Sequence, residues 1–131
     1  MAADDVELVR RAFEAFGHGD FDAAFADFGA DVEWSMSADE PDARTHRGIA
    51  AVRRFVDSLA DPWANRFSDV MQFEPLIDRG DAIVVPWTAR VTGRESGVVL
   101  DINETYVVTV RAGKIVRVDE YRTTEEALRG P

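Results

Sequence analysis

At 131 residues the chain is long enough for one hydrophobic core and too short for two, so a single domain over residues 1–131 is expected. Apolar residues at 46% place it with globular rather than disordered proteins, and the lack of cysteine excludes disulfides, thiolate catalysis and cysteine-ligated metal. A net charge of -10 argues against nucleic acid and against an anionic membrane surface, because phosphate binding needs clustered Lys and Arg.

No apolar run approaches the roughly 18 residues of a membrane span. The N-terminal MAADDVELVRR lacks the basic-then-apolar order of a signal peptide, so a cytoplasmic location is the simplest reading. Residues 5–16 place Val6, Val9, Phe13 and Phe16 at helical spacing, with Asp4 or Asp5 as cap and Gly17 and Gly19 as stop. A second short helix follows Asp20, a natural N-cap, with Phe21, Ala24, Phe25 and Phe28 on one stripe. Asp31 to Met36 alternates and predicts a strand. Residues 37–47 are polar with one Pro and predict a loop or flap. Ile49, Val52, Phe55, Val56 and Leu59 share one side of a third helix, which Asp61-Pro62 ends.

The remainder predicts four strands. Arg66 to Ile77 contains Pro75, the mark of an edge or bulge. Arg79-Gly80-Asp81 is a turn, and Ala82 to Thr92 is a strand interrupted by Pro86. After the loop 93–97, Leu100 to Thr123 forms a long hairpin around Arg111-Ala112-Gly113. Helices first and strands later imply an α+β domain, with three helices packed on a curved antiparallel sheet whose open end is a pocket.

Register in the hairpin decides which residues share a face. A three-residue loop with Gly113 left-handed pairs Val110 with Lys114, Tyr106 with Val118 and Glu104 with Glu120. One face then carries Tyr106, Val108, Val110, Val116 and Val118, with Glu104, Glu120 and Arg122 at one end. The other face carries Thr105, Val107, Thr109, Ile115, Arg117, Asp119 and Tyr121, half apolar and half polar, as suits a surface covered by a partner subunit. A two-residue loop would instead set Glu120 opposite Thr105. Two carboxylates on an apolar face are costly to bury, and burial with mutual repulsion splits them into an acid and a base near neutral pH. The structural alternative is neutralisation of one by Arg122 and solvation of the other.

Trp34, Trp87, Tyr106 and Phe13 are candidates for the walls of a hydrophobic ligand site, with ordinary core packing as the alternative. His46 and His18 lie far apart without ligand spacing, so no metal site is expected. No phosphate loop, dinucleotide glycine motif or Gly-x-Ser-x-Gly turn occurs, and nothing requires a cofactor.

Four segments, VRRAFEAFGHGDFDAAFADF, ADVEW, RGIAAVRRFV and RAGKIVRVDEYRTTEEALRG, resemble the SnoaL-like branch of the nuclear transport factor 2-like superfamily over nearly the full length. The resemblance implies a cone-shaped fold, a pocket for a small hydrophobic molecule and a homodimer. It also hosts isomerases, hydrolases, cyclases and non-catalytic binders. The tyrosine and the base of ketosteroid isomerases would fall at Ala12 and near Met36, and both are lost. Of the Asp-Arg-Asp set of limonene-epoxide hydrolases, the terminal acid corresponds to Glu120, while the other two positions fall at Trp87 and Ala89. The expected chemistry is therefore cofactor-free acid/base work of isomerase, polyketide-cyclase or hydrolase type. Glu120 is the principal group, Glu104 tunes it, Tyr106 donates to a developing oxyanion, and Arg122 holds the ionised form. The rival is a non-catalytic binding or dimerisation module.

Overall fold

A computed structural model of the chain describes residues 3–59, 62–64 and 70–129. Helix α1 (Ala3–Gly17) and the single-turn α2 (Phe21–Phe25) precede strand β1 (Phe28–Ser35). The short strand β2 (Thr45–Arg47) leads into α3 (Ile49–Ser58). Then come β3 (Met71–Phe73), β4 (Ile77–Asp78), β5 (Ile83–Thr92), β6 (Val99–Arg111), β7 (Lys114–Tyr121) and a C-terminal helix α4 (Thr124–Arg129). The sheet runs β2-β1-β7-β6-β5-β3, with β4 also on β5. It is mixed, because β1 lies parallel to β7 while the other neighbours are antiparallel. This is the expected α+β architecture, a curved sheet with helices on its inner face.

The helices form where the apolar spacing requires them. Leu8, Val9, Ala12, Phe13 and Phe16 are the buried stripe of α1. Asp20 accepts from the Ala23 N–H at 3.1 Å and caps α2. Phe28 does not continue the α2 stripe; it opens β1 opposite Ile115, and its ring still meets Phe25 at 4.9 Å. The inner face of the sheet contributes Trp34, Ile83, Val85, Trp87, Tyr106, Val108, Ile115 and Val118 to the same core.

Pro86 does not interrupt its strand. On one side its partner is Thr105 of β6. On the other, the neighbouring chain breaks between β3 and β4 around Pro75, and the Pro86 carbonyl accepts from the Glu74 N–H at 2.9 Å. The donor that proline lacks thus falls where the outer ladder is already broken. The strand expected over 66–77 is two short pieces, and residues 66–69 lie outside the described residues, as does Asp61.

The hairpin register differs from the expected one. The turn has two residues, Ala112 (φ 50°) and Gly113 (φ 75°), joined by the pair Arg111–Lys114. A bulge then places Val116 between the pairs Val110–Ile115 and Thr109–Arg117. Beyond it Val108 faces Val118, and Tyr106, rather than Glu104, faces Glu120. Ile115 is consequently fully buried on the inner face, where Val116 was expected. The shorter turn and the bulge each shift the pairing by one residue in the same direction, and a net shift of two leaves Glu104 and Glu120 on one face.

Ala112 is the one described non-glycine residue with a positive φ, a conformation costing an L-residue about 1 kcal/mol. Asn-Gly is the preferred pair for such a turn. Ala112→Asn is therefore expected to stabilise the fold by about 0.5–1 kcal/mol, read as a rise of a few degrees in Tm. An unchanged or lower Tm would contradict this account of the turn.

Helix α4 was not anticipated. It covers one end of the outer sheet face, where Ala127 packs with Val84, Val107 and Ala82. Thr123 is its cap: the hydroxyl accepts from the Glu126 N–H at 3.1 Å and donates to the Glu126 carboxylate at 3.2 Å. The sheet back expected to await a partner is thus partly covered by the chain itself, and the rest carries ion pairs such as Arg90–Asp101 and Arg117–Asp119.

Candidate functional site

Three neighbouring inward positions of the last hairpin build the site. Glu104 and Tyr106 are two residues apart on β6, and Glu120 on β7 stands opposite Tyr106. On the other side Glu104 stands opposite Trp87 of β5. The two carboxyl groups therefore lie diagonally across one strand pair, with the Tyr106 side chain beside both. They end in a pocket of about 250 Å³. Its apolar walls include Met36, Phe55, Leu59, Trp63, Trp87 and Ile102.

Glu120 is 8% exposed and held by two donors. The Trp34 indole N–H donates to one carboxylate oxygen at 2.7 Å, and the Ser37 backbone N–H to the other at 3.3 Å. Burial pushes the Glu120 carboxyl up to about 7; these two hydrogen bonds oppose the rise, and the charge of Glu40 adds to it. Glu104 goes further. Burial, then the charges of Glu120 and Glu40, push it up to about 8, against a hydrogen bond from the Tyr106 hydroxyl. Burial also lifts Tyr106 well above 10, so it stays a neutral donor. The asymmetry has a simple cause: Glu120 has two N–H donors that favour its anion, and Glu104 has one hydroxyl. The two groups titrate as a pair, and the two N–H donors favour the anion on Glu120.

The other candidates take different places. Trp87 and Tyr106 line the pocket. Trp34 lies behind it, its ring 5.2 Å from Tyr106 and 6.0 Å from Phe55, and reaches the site through its N–H on Glu120. Phe13 is a core ring behind Tyr106, at 5.7 Å, and does not line the acid pocket. Arg122 does not pair with Glu120. It binds Asp39 at 2.7 Å on the exposed rim, with Glu126 at 3.9 Å, because Glu120 is turned inward to Trp34 while position 122 lies past the end of β7.

Sequence reasoning missed four contributors. Phe55 and Leu59 read as the packing stripe of α3, but the stripe also walls the pocket. Glu40 read as part of the polar loop 37–47; it lines the pocket and raises both acids. Ser37 reaches Glu120 through its backbone, which leaves no side-chain signal.

A curved mixed sheet closed by N-terminal helices over an acid-bearing pocket defines a nuclear transport factor 2-like protein. A protein of this class from Burkholderia thailandensis is 25% identical with a TM-score of 0.79, each chain covered completely. One of unknown function from Burkholderia pseudomallei is 25% identical with a TM-score of 0.76, over 98% of this chain and 97% of the other. TerC, crystallised with polyporic acid, shares the fold at 20% identity and a TM-score of 0.73, over 98% of this chain and all of its own. Within the class, residues 9–118 match the SnoaL-like domain, and the chain belongs to that family. An uncharacterized protein of Mycobacterium tuberculosis is 32% identical over 118 residues, 89% of this chain and 87% of the relative.

Proposed function

We propose that the protein binds a small hydrophobic molecule in the pocket and performs cofactor-free acid/base chemistry on it, of isomerase, polyketide-cyclase or hydrolase type. The observation that carries this reading is the Glu104–Tyr106–Glu120 constellation: a buried and a partly buried carboxyl group, unequally hydrogen-bonded, at the end of an apolar pocket. In the one-proton state Glu120 is the base and Glu104 the acid. Glu120 takes a proton from an activated C–H or O–H of the ligand. Glu104 delivers its own proton to the oxygen on which charge develops, while Tyr106 donates into the same network. Return of the proton from Glu120 to a new carbon, with the enol proton passing back to Glu104 as the carbonyl re-forms, completes an isomerisation and restores both acids. The fold likeness to TerC, a protein crystallised with polyporic acid, is compatible with a small-molecule pocket. A homodimer through the uncovered part of the sheet back and a cytoplasmic location belong to the same proposal.

The test needs no native substrate. Enolisable aromatic ketones that bind the protein are incubated in deuterated water, and loss of the α-proton is followed by NMR. Exchange above the buffer rate is expected, greatest between about pH 7 and about 8 where one proton is shared. Glu120→Gln is expected to lower it about 100-fold or more. Exchange that Glu120→Gln leaves untouched, or no exchange for any ketone that binds, would sink the catalytic reading. The second reading, a non-catalytic binding module, draws on one observation: both Glu120 oxygens already have protein donors, as in a structural carboxylate.

A further inference from the structure

We infer that the pocket selects a hydrophobic cation, an ammonium or other positively charged nitrogen carried on an aromatic or aliphatic body, over neutral and anionic molecules of the same shape. This inference rests on the pocket being a ligand site, as proposed above, and specifies what enters it.

Two independent features of the lining agree. One is charge. Glu40, Glu104 and Glu120 all line the pocket, and none of the described lining residues is Lys, Arg or His. The Arg122 guanidinium is held by Asp39 and Glu126, and that of Arg94 by the backbone carbonyl of Trp63. The other is the wall. Phe55, Trp63, Trp87 and Tyr106 line the same space. Aromatic faces attract a weakly hydrated organic cation through their quadrupole, most strongly when it is desolvated. A carboxylate group alone would suit a metal ion equally well. Among the described residues, however, no three acidic or histidine side chains are close enough to ligate one. Aromatic walls and a pocket of about 250 Å³ fit an organic cation of roughly ten to twelve heavy atoms.

The electrostatics point the same way. The acids carry raised affinities for protons because burial leaves their charge uncompensated. A cation placed between them takes over that role and displaces the proton held on Glu104. An anion meets repulsion from every charged group in the lining. The net charge of -10 adds long-range attraction for cations to the local preference.

Benzyltrimethylammonium is a suitable probe, because its fixed charge does not titrate. Pivalophenone is a neutral molecule of similar shape, and phenylacetate a small anion. Calorimetric titration at pH 8 is expected to show the ammonium binding at least tenfold tighter than pivalophenone, with phenylacetate weakest. Proton release is expected on ammonium binding. Its affinity should rise with pH between 6.5 and 9 as Glu120 and then Glu104 ionise. Over that range the other groups at the site do not oppose the trend: Glu40 adds negative charge, Tyr106 is held well above 10, and His46, stacked on Phe55 at 4.2 Å, is lowered by burial and Arg44. Glu104→Gln with Glu120→Gln should abolish the preference while pivalophenone still binds. The pH dependence on the unmodified protein gives the same answer if that variant does not fold. Pivalophenone binding as tightly as the ammonium, or a pH-independent ammonium affinity, overturns the cation class and leaves the hydrophobic pocket standing. Failure of all three probes to bind overturns both.

Discussion

Glu104→Gln is expected to stabilise the protein at pH 9 and to leave it nearly unchanged at pH 5. The ordinary carboxyl value is 4.5, and in the fold Glu104 is raised to about 8 by burial and by the charges of Glu120 and Glu40, with Glu120 raised to about 7. A raised acid holds its proton more tightly folded than unfolded. Its contribution is fully present below pH 4.5 and is lost as pH climbs through the folded value. The unmodified protein should therefore weaken steadily from about pH 5 to about pH 9. With the pair coupled, the loss is on the order of 3–5 kcal/mol. Glutamine keeps the shape and still accepts from Tyr106, but it has no charge to bury, so the variant should retain most of that stability at high pH. Urea denaturation at pH 5, 7 and 9 measures both curves. A flat profile for the unmodified protein, or equal destabilisation of the variant at pH 5 and pH 9, would mean that the two acids are better solvated than their burial implies.

Phe13→Ala should be among the most damaging single changes in the core. The ring is 2% exposed and lies 5.2 Å from Phe16, 5.9 Å from Phe73 and 5.7 Å from Tyr106. It joins the phenylalanine cluster of the helices to the ring that borders the acids. Removing it deletes buried apolar surface and leaves a cavity that α1 and the sheet cannot easily close, a cost of about 3–5 kcal/mol. Phe13→Leu should recover more than half of that, because leucine refills most of the space. Denaturant midpoints with unchanged m-values would confirm a core effect. A loss under about 1 kcal/mol for the alanine variant would show the site collapsing freely, contrary to close packing around Phe13.

Much of the fold was legible because apolar spacing follows geometry. Val9, Phe13 and Phe16 mark a helical face, and Ile83, Val85, Trp87, Ala89 and Val91 alternate along β5 despite Pro86. What escaped was of two kinds. Thr45–Arg47 is too short and polar to show a period, and it pairs only because β1 offers an edge. Helix α4 has a legible start in Thr123-x-x-Glu126, overlooked because six residues carry almost no periodicity. At the site, the inward alternation of Glu104, Tyr106 and Glu120 was readable, but the exact pairing was not. Nothing about Val116 announces a bulge, since a valine fits a regular ladder equally well. The Arg122–Asp39 pair and the Ser37–Glu120 bond depend on how the loop after β1 folds over the rim, which is set by tertiary contacts rather than local sequence.

The parallel pairing of β1 with β7 has a consequence for how the chain reaches this structure. The two strands are among the most strongly contacting elements, yet Trp34 and Glu120 are separated by 86 positions. Every strand between them can fold back on a near neighbour, but β1 must wait for the last hairpin to be made. During synthesis the helices and β1 can gather only a partial apolar cluster, and the sheet closes after Tyr121 has left the ribosome. Pairing β1 with β7 therefore closes a long loop, and the indole-to-carboxylate contact that shapes the pocket depends on that closure.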